Sequence, residues 1–121
     1  MTKGSCHCGA VQFQISEEPK WLVDCNCSIC RRINALWAHV DLSNVTFTAE
    51  KDASIAYIQG DKMLAIHTCK TCGCTTHWET LIPEESTTMA VNFRMCAISE
   101  QSKYEIRKFD GADTWTFLPN S

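Results

Sequence analysis

The chain has no basic stripe. Its 11 lysines and arginines stand against 14 acidic residues, giving a net charge of −3, and the densest basic stretches are only Arg31-Arg32 and Arg107-Lys108. Nucleic acids and anionic membrane surfaces recruit proteins through concentrated positive charge, so neither is an expected partner. Long hydrophobic runs are missing too, and no stretch approaches the roughly 20 apolar residues of a membrane helix. The opening MTKGSCHCGAVQF contains no apolar signal-peptide core, so the expected compartment is the cytosol, where disulfides are disfavoured. With five glycines and three prolines in 121 residues, there is no linker, repeat or low-complexity segment, and one domain over residues 1–121 is expected. Ordinary core formers are also short in supply. Cysteines belong to the 45% hydrophobic fraction, and without them about 38% remains for packing. Metal ligation is expected to replace part of the missing apolar burial.

Cysteine is what the chain has instead, nine residues of it. Seven fall in three tight groups: Cys6 and Cys8 in CHC, Cys25, Cys27 and Cys30 in CNCSIC, and Cys69 and Cys72 in CKTC. In a reducing compartment, C-x-C and C-x-x-C spacings favour metal over disulfide. The two pairs together supply four thiolates, the donor set of a closed tetrahedral zinc site. Gly9 and Gly73 follow the pairs and relieve the tight turns that aim two sulfurs at one ion.

The triplet presents three sulfurs and leaves a fourth position to water, to a substrate thiol, or to Cys74, Cys96 or a histidine that would close the site. Three thiolates donate heavily to zinc, so such an ion acidifies water less than a three-histidine site does while still holding a thiol as thiolate. Sulfur chemistry therefore fits it better than peptide or phosphate hydrolysis. Arg31 and Arg32 follow directly and are candidates for clamping a substrate carboxylate.

Strand-like patterns fill the rest. Val11, Phe13 and Ile15 alternate with polar residues, as do Leu36, Ala38, Val40 and Leu42. Further strands are expected at 21–23, 45–48, 55–58, 63–68, 75–81, 88–94 and 104–108, with a hairpin turn at 59–62. Only 28–33 invites a helical turn, starting on Ser28 as a cap. Many short strands at short spacing predict an all-β domain. Cys74 and Cys96 are expected as small core residues, His39 and His77 as packed or surface residues, and His7 at the surface. His67, two residues before Cys69, is expected to orient a thiolate. Trp37, Trp78 and Phe93 are expected in the core or along a pocket wall.

The ordered motifs GSCHCGAVQF, CNCSICRR, CKTCGC and AVNFR resemble the glutathione-dependent formaldehyde-activating enzyme family, whose domain also occurs in centromere protein V. The resemblance runs from Gly4 to about Lys108 and implies a small zinc-binding β-tent (Mss-like). It implies a structural zinc on Cys6, Cys8, Cys69 and Cys72, and a catalytic zinc on Cys25, Cys27 and Cys30. It further implies a carbon–sulfur lyase whose partners are a small thiol such as glutathione and a small aldehyde, and whose namesake product is S-hydroxymethylglutathione. Asn92 and Arg94, in AVNFR, are the further substrate contacts it brings forward. Asn34 stands where the family usually has glycine, and asparagine tolerates the left-handed backbone. The chain is shorter than the namesake enzyme, so the resemblance reaches the family before it reaches the substrate. A non-catalytic zinc module and a thiol-redox or metal-sensing protein are the alternatives.

Overall fold

The computed structural model describes residues 1–119, and its strands form two sheets. The alternation read at 11–15 makes β2 (Val11–Ile15), the centre of a small antiparallel sheet between β1 (Thr2–Ser5) and β5 (Val45–Ala49). Val11, Phe13 and Ile15 point inward. Strand β1 carries too weak a pattern to be read beforehand. Its Gly4 lies flat against the Phe13 ring, where a Cβ would overlap the ring atoms.

The larger sheet has seven strands. In spatial order these are β10 (Ile106–Phe109), β3 (Leu22–Cys25), β4 (Trp37–Asp41), β9 (Thr88–Asn92), β8 (Thr75–Thr80), β7 (Leu64–Cys69) and β6 (Ser54–Ile58). All neighbours are antiparallel except β10, which runs parallel to β3 and sets Phe109 beside Cys25. The main core lies between the sheets, built from Phe13, Ile15, Leu22, Ala38, Val91 and Phe93 among others. Phe93 is fully buried in it, so of the three aromatic residues weighed for a pocket wall this one belongs to the core. Leu42 ends the expected inward alternation and is 40% exposed.

Several boundaries differ from the sequence-based expectation, each for a local reason. The strand expected over 88–94 stops at Asn92, whose Oδ1 accepts from the Arg94 amide at 3.1 Å and starts a 3-10 turn at Phe93–Met95. The helical turn is α1 (Cys30–Ile33), preceded by Ile29 with no side-chain cap, so Ser28 does not act as its cap. A second turn of helix, α2 (Ile98–Gln101), is too short to announce itself by periodicity. Asn34 ends α1 at φ 58° and ψ 44°, the left-handed conformation expected where a glycine is usual. Among the described residues no helix is long and apolar enough to cross a membrane.

His77 on β8 joins the two sheets. Its ring packs at 4.2 Å against Phe47 of β5 and stacks at 4.5 Å on His67, and Thr76 Oγ1 lies 2.8 Å from its Nδ1. Burial, aided by the neighbouring His67, lowers its pKa to about 3. The folded state thus binds this proton later than the unfolded chain, whose histidine titrates near 6.5. The stabilisation is complete above about pH 6.5 and is lost as the pH falls toward 3. Linkage puts the loss between pH 7 and pH 5 at about 2 kcal/mol. We expect His77→Gln to remove most of that slope, read as urea midpoints of the metal-saturated protein at the two pH values.

Candidate metal centres

The first cysteine pair follows β1, and the second spans the end of β7 and the turn after it. Gly9 (φ 84°) and Gly73 (φ 80°) adopt the left-handed turns expected of them, and their amides close back onto the carbonyls of Cys6 and Cys69. The sulfurs of Cys6, Cys8, Cys69 and Cys72 all lie within 4.8 Å of one another. Cys6 and Cys8 are 3.8 Å apart and Cys8 and Cys69 3.7 Å apart. Zinc–sulfur bonds of about 2.3 Å put tetrahedral sulfurs about 3.8 Å apart, so these four fit that ion. Amide N–H groups donate into the cluster. That of Val11 reaches Cys6 Sγ at 3.3 Å, and those of Cys8 and Cys74 lower the Cys72 thiol to about 5.

The triplet lies where β3 leaves the large sheet and α1 begins. Its three sulfurs also fall within 4.8 Å of one another, and among the described residues no fourth metal-ligating atom joins them. Cys74 packs with the first cluster, whereas Cys96 belongs to the main core, where burial pushes its thiol up to about 12. Donors support the triplet from the protein side. The amide of Cys27 approaches Cys25 Sγ at 3.5 Å, that of Cys30 approaches Cys27 Sγ at 3.4 Å, and Trp37 Nε1 donates to Cys30 Sγ at 3.3 Å. The Cys30 side chain lowers the Cys25 thiol to about 6, with the Cys27 amide adding to it, while Cys30 itself is raised by the same contact. Such a cluster gives up its first proton readily, as metal ligation by thiolates requires.

The C-terminal segment closes over this cluster, an arrangement the cysteine spacing did not reveal. Asn26 Nδ2 donates to Asp110 Oδ1 at 3.0 Å, and the Ala112 amide returns to Asn26 Oδ1 at 3.0 Å. This latch lays Gly111 against the triplet so closely that a Cβ there would sit 2.8 Å from Cys25 Sγ. Beyond it Trp115, at a left-handed φ of 57°, packs edge-on against Phe109. All three triplet cysteines line a cavity of about 460 Å³, walled by Trp78 and Ile66 of the sheet, by Phe109 and Trp115, and by the 59–63 hairpin turn.

The other expected site residues are placed differently. Arg31 and Arg32 are exposed on α1, and Arg32 Nη1 donates to the Ser28 carbonyl at 2.6 Å. Asn92 is buried, and its side chain is committed to main chain: it accepts from Leu36 N at 3.1 Å and donates to the Thr75 carbonyl at 2.8 Å. It holds β9 to its neighbours and offers a substrate little. Arg94 donates from Nε to the Asn34 carbonyl at 3.2 Å, steadying the end of α1. His67 does not orient a thiolate: its Nδ1 meets Ser54 Oγ at 2.8 Å and its Nε2 meets Glu79 at 2.7 Å.

Fold and site together define an all-β domain with one closed thiolate cluster and one incomplete cluster opening on a cavity. Residues 1–110 match the family described as glutathione-dependent formaldehyde-activating enzyme, and the chain belongs to that family. A solved relative is similar in structure: the crystal structure of a Rhodobacter sphaeroides protein, a structural-genomics target, superposes with a TM-score of 0.69 at 26% identity, covering 86% of this chain and 98% of that one.

The close approach of Gly111 yields a test of the triplet that leaves every cysteine in place. We expect Gly111→Ala to hold less metal per chain than the wild type, measured by elemental analysis after dialysis, with the far-ultraviolet circular dichroism unchanged. Cys72→Ser is expected instead to lose the fold along with its metal.

Proposed function

We propose that the chain is a zinc enzyme of the carbon–sulfur lyase type that makes or breaks adducts between a thiol and a small aldehyde. The observation that carries this reading is the incomplete donor set: three sulfurs on the wall of a cavity, with no fourth protein ligand among the described residues. Cys6, Cys8, Cys69 and Cys72 would hold a structural zinc, and Cys25, Cys27 and Cys30 a catalytic one. Bound there, zinc would supply Lewis acidity, lowering the pKa of a thiol or polarising a carbonyl.

The reaction is an addition without redox change. In the forming direction a sulfur–carbon bond is made, the carbonyl π bond is broken toward oxygen, and the thiol proton ends on that oxygen. In the reverse direction the carbon–sulfur bond breaks and the proton returns to sulfur. The chain's own part is to fix three sulfurs, through the Cys27 and Cys30 amides and the Trp37 indole, and to enclose both reactants so that their encounter becomes intramolecular. Membership of the glutathione-dependent formaldehyde-activating family supports the reaction class, with formaldehyde as the simplest aldehyde. A non-catalytic module would call for a fourth ligand closing the triplet.

Exchange of formaldehyde between its free and thiol-bound forms, followed by NMR line shape or exchange spectroscopy, tests the reading. The wild-type protein should accelerate exchange, and Cys27→Ala should return it to the solution rate while the paired-cysteine metal and the fold persist. Equal rates for folded wild type and variant would sink the proposal.

A further inference from the structure

The cavity beside the triplet has the wrong charge for glutathione. Glutathione brings two carboxylates and an ammonium group, and a site that binds it must pair the carboxylates, which arginine does best. Among the described residues that line the cavity there is no lysine and no arginine. The ionisable groups on its wall apart from the cysteines are His39 and Asp61, and Asp61 would repel a carboxylate. Gln59 is an uncharged polar group on the wall, and most of the rest is aromatic or aliphatic, with Trp37, Trp78, Phe109, Trp115, Ile66 and Met63 facing the space.

Of the nearby cations, Arg107, Arg32 and Arg94 are engaged elsewhere, and Arg31, exposed on α1, does not line the cavity. Arg107 lies over the Trp21 ring at 4.0 Å and donates to Glu105 at 3.0 Å. Arg32 is folded back onto the Ser28 carbonyl, and Arg94 onto that of Asn34. Lys62 sits in the 59–62 turn beside Asp61 but off the cavity wall. A carboxylate carried into such a space loses hydration and gains no cationic partner from the wall, whereas an uncharged ring or alkyl body gains from burial.

We infer that this cavity selects a thiol whose organic body is uncharged and apolar, an aryl or alkyl thiol or its aldehyde adduct, in preference to glutathione. The inference rests on the reaction proposed above and names the substrate class of that same site. Specificity would lie with Trp78, Phe109 and Trp115 as the apolar wall and with Asp61 as the group that turns anions away. Asp61 is fixed for this task by its own turn, its Oδ1 accepting from the Met63 amide at 3.2 Å. The sulfur would reach the triplet while the body stays among the aromatic rings. The bonds made and broken are those already given, with no further reactant.

The test compares phenylmethanethiol with glutathione on the zinc-loaded protein. Binding is read from quenching of tryptophan fluorescence, and turnover from formaldehyde exchange. We expect phenylmethanethiol to bind at least tenfold more tightly than glutathione. Met63→Lys, at a position 45% exposed and so tolerant of charge, should narrow or reverse that preference, and Asp61→Asn should narrow it severalfold. Glutathione binding as tightly as phenylmethanethiol would overturn the inference. So would a loss of tight glutathione binding in the Arg31→Gln/Arg32→Gln double variant, and so would the absence of binding by either thiol. If phenylmethanethiol binds preferentially but neither thiol shows accelerated exchange, the proposed reaction fails while the assignment of the cavity stands.

Discussion

Everything in this structure hangs on four sulfurs brought within 4.8 Å of one another from two ends of the fold. Cys6 and Cys8 extend the small sheet, and Cys69 and Cys72 end a strand of the large one, so an ion held among them ties the sheets together. In small zinc domains such ligation contributes an apparent free energy of about 10–16 kcal/mol, comparable to the whole stability of about 5–15 kcal/mol usual for a folded domain. Without an ion, four converging thiols would be a poor substitute for packed apolar side chains. The composition agrees with this, since cysteines take a share of the chain that aliphatic residues would otherwise fill.

The second cluster is separate from the first, so the two can take different roles. It stands at the edge of the large sheet, where β3 runs out into α1 and the parallel strand β10 brings the C-terminal segment alongside. The Asn26–Asp110 latch lays Gly111 against Cys25, and Trp115 beyond it lines the cavity. Hydrogen bonding from Asn26 before all else holds the Asp110 carboxyl below the usual range, so the latch stays anionic at neutral pH. Three sulfurs, a donor to each region of the cluster and a largely apolar cavity form a unit that could hold one face of a metal and leave the rest to what enters the cavity.

Much of this was legible in the residues. Close spacing of cysteines is a local signal, so the membership of both clusters and the glycine turns after the pairs could be read directly, as could the alternation of β2 and β4. The left-handed Asn34 followed from the tolerance of asparagine for that backbone. What could not be read is what depends on long-range closure. Nothing local announces that residues 110–117 cover the triplet, because Asn26 and Asp110 are 84 positions apart. Nor does the AVNFR motif reveal that Asn92 faces inward onto main chain while Phe93 fills the core. His67 misled because nearness in sequence to Cys69 says nothing of partners, and both of its ring nitrogens are taken, Nδ1 by Ser54 and Nε2 by Glu79. The lack of lysine and arginine on the cavity wall is likewise a property of which side chains assemble there, not of overall composition.

The division of labour between the two clusters can be examined in a single crystal. Diffraction recorded on both sides of the zinc absorption edge, from a crystal soaked in a small thiol, locates every zinc and shows what each one binds. We expect two fully occupied zinc positions, with density for an added sulfur only at the one held by Cys25, Cys27 and Cys30. A single zinc, or a triplet ion whose fourth ligand is a protein side chain both before and after soaking, would contradict the assignment.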